Sequence, residues 1–152
     1  MPSFEHEQTF SCSVESLFNF LTRPANMIRL SPPDSGLVFH SAPEVIQAGV
    51  ELEFEVQAYG QSQSIVHEIV EVERPRRILE RMVHGPFEDL EHEHLFDGDE
   101  SESKLVDRIT FTPPRGLLGL LLTEARVVSS LQKSFDYRRQ ELETLIAQGE
   151  LE

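Results

Sequence analysis

The residues with the most chemical capacity lie between Glu88 and Thr112. Successive side chains of a strand point to opposite faces, so in Glu88 to Phe96 the residues Leu90, His92, His94 and Phe96 share one face. Asp89, Glu91, Glu93, Leu95 and Asp97 take the other, which is mostly carboxylate and must be solvated; both histidines therefore point inward. In Lys104 to Thr112, Leu105, Asp107, Ile109 and Phe111 share a face whose apolar members mark it as the inner one. A six-residue connection, Asp97 to Glu102, sets Phe96 against Ser103, His94 against Leu105 and His92 against Asp107. A two-residue slip sets Asp107 beside His94 instead. A carboxylate next to an inward imidazole holds its tautomer and favours imidazolium, the arrangement used in general acid–base catalysis. The same groups also serve as buried polar partners that satisfy each other and orient a ligand. His92 and Asp107 are thus ligand-orienting residues first and catalytic candidates second.

Other polar residues frame this pair. His92-x-His94 with Asp107, joined by His84 or Glu80 from the preceding strand, has the ligand types of a divalent-ion site. His67 has Ile65 and Ile69 on its own face and reads as a core histidine. Arg138 interrupts an apolar helical stripe between Phe135 and Leu142. It needs a buried carboxylate from the sheet, a path out to solvent, or an anionic or carbonyl group on a ligand. Cys12 has no activating partner in sequence and reads as a small buried apolar residue. There is no phosphate-cradling glycine loop, since Gly116-Leu117-Leu118-Gly119 lacks both the lysine and the dinucleotide spacing, and there is no Gly-x-Ser-x-Gly elbow.

These residues need elements to hold them. The 152-residue chain is long enough for one domain, 1–152, with a full core. Ser3 to Ser13 alternates as a strand with Phe4, His6, Gln8, Phe10 and Cys12 on one side. Ser13 caps a short helix, Val14 to Leu21; Pro24 opens a second, ended by Pro32-Pro33. Six further strands follow at Leu37 to His40, Val50 to Tyr59, Gln63 to Val72, Arg77 to His84, Glu88 to Phe96 and Lys104 to Thr112. Their connections are too short for parallel crossovers, so the sheet is antiparallel. Beyond Pro114 the period changes: Leu121, Ala125, Val128, Leu131, Phe135, Arg138, Leu142 and Leu145 step by three and four, predicting one helix of about 30 residues and about 45 Å. The fold class is α+β.

Charge excludes some partners. With 13 Lys and Arg against 27 Asp and Glu, the net charge is −14. Phosphate backbones and anionic membrane surfaces both select for cations, so neither nucleic acid nor stable membrane insertion is expected. One cysteine and a start without basic and apolar signal regions point to a reducing, cytoplasmic setting.

The order strand, two short helices, six strands, long helix resembles the helix-grip fold of the START and birch-pollen-allergen (SRPBCC) superfamily. The stretches that carry the likeness are Gly85-Pro86-Phe87, Leu90 to Phe96, Asp107 to Phe111, Pro114 to Gly119 and Phe135 to Arg139, the last similar to a bacterial ligand-binding or polyketide cyclase/dehydrase-like branch. The resemblance implies a curved sheet of about seven strands wrapped around the C-terminal helix, with a cavity between them for a lipid-like, polyketide or aromatic molecule. Phe54, Phe111 and Phe135, with Leu121, Ala125 and Val128, fall where it places cavity walls, and equally where any core would be. His92, His94, Asp107 and Arg138 would orient the ligand. The superfamily is not generally metal-dependent, so no metal and no cofactor are expected. It also contains aromatase/cyclases, which would use a His92–Asp107 pair for proton transfer, and co-chaperones. Leu117 to Leu122 reads either as packed first turns or as an exposed lip for a ligand, a membrane surface or a homodimer partner.

Overall fold

The computed structural model describes residues 1–58 and 60–151. Strands β1 (Ser3–Phe10), β2 (Val38–Ser41), β3 (Glu51–Ala58), β4 (Gln61–Glu73), β5 (Arg77–His84), β6 (Asp89–Gly98) and β7 (Ser103–Thr112) form one antiparallel sheet in the order β1-β7-β6-β5-β4-β3-β2. Tyr59, the expected end of the third strand, lies outside the described residues. Helices α1 (Val14–Leu21) and α2 (Pro24–Arg29) sit between β1 and β2. The Ser13 hydroxyl accepts the Ser16 amide at 3.0 Å and fixes the start of α1.

The structure settles one open register, in favour of the two-residue slip, and corrects one expectation. The register is that of the β6–β7 hairpin: β6 runs on to Gly98, which pairs with Ser103, so His94 faces Asp107 and His92 faces Ile109. The turn is shortened because Asp99 folds over it, its carboxylate accepting the amides of Ser101 and Glu102 at 2.9 and 3.0 Å. Gly98 makes this turn at φ 141°, where an added Cβ would lie 2.3 Å from the Glu102 carbonyl oxygen. Gly98→Ala should lower stability by about 1–3 kcal/mol, read as a shift of the urea midpoint; an unchanged midpoint would mean the turn rearranges freely.

The corrected expectation concerns the C-terminal helix, which is two helices, α3 (Gly116–Leu121) and α4 (Glu124–Ala147). Leu122 leaves the helical region to bury its side chain, and Thr123 caps α4 by accepting the Arg126 amide at 3.3 Å. The 24 residues of α4 span about 36 Å. The break changes the phase of the stripe, so Val127 is buried beneath the helix while Ala125 is exposed and Val128 half-buried. Leu131, Phe135, Arg138, Leu142 and Leu145 keep their expected face.

The interior consists of two apolar clusters. One gathers α1, Phe10, Ile69, Ile78, Phe96, Leu105 and the far end of α4 at Leu142 and Leu145. The other gathers Phe4, Ile109, Phe111, Leu122, Val127 and Phe135. Between them, five of the strands and α4 contribute polar residues. These are His6 and Gln8 on β1, Asp107 on β7, His92 and His94 on β6, Glu80 on β5, His67 on β4 and Arg138 on α4.

Candidate functional site

Asp107 is the hub of this belt and has no solvent exposure. Its Oδ1 lies 2.8 Å from His92 Nε2 and 2.8 Å from His94 Nδ1, and its Oδ2 accepts from the Arg138 guanidinium. Glu80 closes the belt from the other side, with Oε1 at 3.3 Å from His92 Nδ1, 3.6 Å from His67 Nδ1 and 3.7 Å from His94 Nε2. The two imidazoles on β6 stack, ring centroids 3.8 Å apart. The Arg138 guanidinium also lies over the Phe135 ring, 4.3 Å from its centroid.

Charge in the belt is set by these contacts. Burial alone would lower the His94 pKa, but its pairing with Asp107 and Glu80 outweighs that and lifts it to about 9. Burial would raise both carboxyls, yet Arg138 and the imidazoles hold Asp107 well below the usual range, and the three histidines do the same for Glu80. At neutral pH two cations, Arg138 and His94, therefore balance two carboxylates inside the fold.

Three hollows meet the belt or adjoin it. The central one, about 360 Å³, has apolar walls that include Phe54, Ile65, Phe87, Leu90, Leu131 and Phe135, with His67, His92 and Arg138 at its polar end. A second of about 180 Å³ shares Val56, Ile65, Phe87 and Leu131 with it and reaches Leu118, Leu121, Leu122 and Val127. A third, about 140 Å³, shares Met27, Phe54 and His67 and exposes Glu80 and His94.

The structure thus brings His92, His94, Asp107 and Arg138 together and puts Phe54, Phe135 and Leu121 on hollow walls. Phe111 is fully buried in the second apolar cluster. Ala125 lines an outer groove with Thr123 and Glu124 instead of the interior, while Val128 borders that groove and packs half-buried against the second apolar cluster, a consequence of the break before α4. His84 is exposed and outside the cluster. Of the Leu117–Leu122 segment, Leu122 is buried while Leu117 and Leu120 are exposed, so it is packed at one end and a lip at the other. Sequence reasoning gave His67 no partner and reached Glu80 only as the alternative to His84 in a divalent-ion set; the structure places Glu80, not His84, beside the histidines. The signal for Glu80 was a carboxylate between Ile78 and Met82 on an apolar strand face.

No protein-family model matches the chain, and no curated protein matches it in sequence. Solved structures do. TTHA0849 from Thermus thermophilus superposes with a TM-score of 0.75 at 15% identity, over 97% of this chain and 99% of that one. A protein from Arthrobacter aurescens gives 0.72 at 13% identity, covering 93% and 86%. Ara h 8.0201 gives 0.66 at 13% identity, covering 96% and 97%. At these identities the likeness is one of fold: the chain has the helix-grip architecture, α+β, as its element order led one to expect.

Proposed function

We propose that the protein binds a small, mainly apolar molecule with one carbonyl or carboxylate end in the hollow between the sheet and α4. The observation that carries this is Arg138. Its side chain is buried at the wall of an apolar hollow, and its Nε has no hydrogen-bond partner. A buried donor left unmade costs about 1–3 kcal/mol, which a ligand acceptor would recover. The central hollow of about 360 Å³ falls in the range of small-molecule sites. Its apolar walls would supply affinity and Arg138 the orientation. His92 supports binding over proton transfer, because one ring nitrogen is on Asp107 and the other faces Glu80, leaving neither turned to a substrate.

The test is calorimetric titration of the purified protein with decanoate and 2-naphthoate against decanol and naphthalene. The acids are expected to bind at least tenfold more tightly than their neutral counterparts. Leu131→Trp, which fills the hollow from α4, is expected to remove binding with the circular dichroism of the fold retained. Native mass spectrometry of protein from its expression host should show an added mass that leaves on denaturation. Absence of any bound mass together with no heat from all four compounds would overturn the reading.

A further inference from the structure

We propose that Glu80, His92 and His94 form a binding site for a divalent transition-metal ion, with Asp107 as the outer carboxylate that orients both imidazoles. This departs from the expectation of no metal that the family resemblance carried, and it is independent of the hydrophobic ligand. One ligand atom from each of the three residues lies within 4.8 Å of the others. The donors, two imidazoles and a carboxylate, suit zinc, iron(II) and their neighbours.

The hydrogen-bond geometry selects which nitrogens face the ion. Asp107 Oδ1 takes His92 Nε2 and His94 Nδ1, both at 2.8 Å, so each imidazole carries a proton on that side. This is the carboxylate–histidine–metal arrangement that fixes a ligand's tautomer and ring plane. The opposite nitrogens, His92 Nδ1 and His94 Nε2, then aim at Glu80 Oε1 across 3.3 and 3.7 Å. Those gaps exceed an N–H···O hydrogen bond of about 2.7–3.2 Å. They bracket the edge of a tetrahedron, about 3.3–3.4 Å, that bonds of about 2.0–2.1 Å to one central ion would give. In the metal-free protein the second His94 proton can bridge one of these gaps, which leaves His92 Nδ1 facing the same anionic oxygen at 3.3 Å; a metal ion would displace that proton and take both nitrogens. With neutral imidazoles, Arg138, Asp107 and Glu80 sum to −1, which favours a divalent guest. His67 Nδ1, 3.6 Å from the same Glu80 oxygen, borders the site, and the hollows lined by His67, His92, Glu80 and His94 give it access.

The experiment titrates the chelator-treated full chain with zinc sulfate at neutral pH by calorimetry. It then substitutes cobalt(II) and records visible absorption. One site per chain, a raised melting temperature and the intense d–d bands of tetrahedral cobalt(II) are expected. Glu80→Gln is expected to weaken zinc binding at least 100-fold. X-ray absorption of the wild-type zinc complex should report two imidazole nitrogens and carboxylate oxygen, which keeps the proposal testable if the variant does not fold. No zinc heat and no melting shift would overturn it. So would affinity unchanged by Glu80→Gln, which would place the metal on surface groups.

Discussion

Asp107→Asn is expected to lower the free energy of unfolding by about 3–5 kcal/mol, the largest loss from any single isosteric change in the belt. Both carboxylate oxygens are engaged and no part of the side chain reaches water. An asparagine offers one acceptor and turns an NH₂ group toward either the guanidinium or the imidazoles, which are donors on that side. The deeper cost is charge. Arg138 and His94 would stay buried with Glu80 as the remaining counter-ion of the belt, 3.7 Å from His94. For a domain whose total stability is about 5–15 kcal/mol, that is about a fifth of the whole at the least. Urea unfolding at pH 7 measures it.

The same reasoning predicts partial rescue. Asp107→Leu combined with Arg138→Met removes both partners and lets the two apolar clusters meet. The double variant should unfold at higher urea than Asp107→Asn, because an absent ion pair costs less than a broken one. A loss below about 1 kcal/mol for Asp107→Asn would mean that water reaches the hub, and the belt would then be a solvated channel instead of a buried hub.

Much of this belt was legible one strand at a time. Alternation placed His92, His94 and Asp107 inward, and the broken helical stripe singled out Arg138. Which residues meet across strands was less legible, because register depends on turns. Asp99 shortens the β6–β7 turn by capping its amides, and that moved Asp107 opposite His94. The side chain nevertheless reaches both histidines, since diagonal neighbours on one face stay within reach of a carboxylate. The helix break was hidden for a related reason. The apolar period runs through Leu121 and Ala125 without interruption, so the stop comes from the Thr123 cap and from burial of Leu122, a tertiary effect. His67 went unpaired in the sequence, and Glu80 stood only as the alternative to His84, because each has its partners on other strands.

This placement explains why the belt exists at one level. Four elements run apolar, polar, apolar: Ile69, His67, Ile65 on β4; Phe96, His94 and His92, Leu90 on β6; Leu105, Asp107, Ile109 on β7; Leu142, Arg138, Phe135 on α4, while the inward face of β3 stays apolar with Leu52, Phe54 and Val56. Polar residues scattered in depth would each need separate satisfaction. Stacked at one depth, they satisfy one another and leave apolar walls on both sides. The cost is that the network behaves as a unit, so titrating or truncating one member is felt by all.

That coupling gives the second large effect, a loss of stability on the alkaline side in the presence of a chelator. His94 has an ordinary pKa of 6.5 and is lifted to about 9 in the fold. Between these values the native state binds a proton that the unfolded chain does not, so stability falls as pH rises. The contribution is complete below pH 6.5 and is lost as pH passes through about 9; the shift is worth about 3 kcal/mol at most. On the acid side the sign reverses. Asp107 and Glu80 are held well below their ordinary values, so their contribution is present above about pH 4 and is lost as pH falls further. His6 begins to cost stability earlier, as pH falls below its ordinary 6.5, because burial and the nearby Arg138 and Arg139 lower its pKa and protonation favours the unfolded chain. Stability should therefore peak at about pH 6, where the His94 contribution is nearly complete and the His6 cost is small. Urea midpoints at pH 6, 7.5 and 9 in EDTA should descend in that order, and His94→Gln should flatten the series. Midpoints that stay level or rise across this range would show that His94 holds no extra proton, and the balance of two cations against two carboxylates would have to be redrawn.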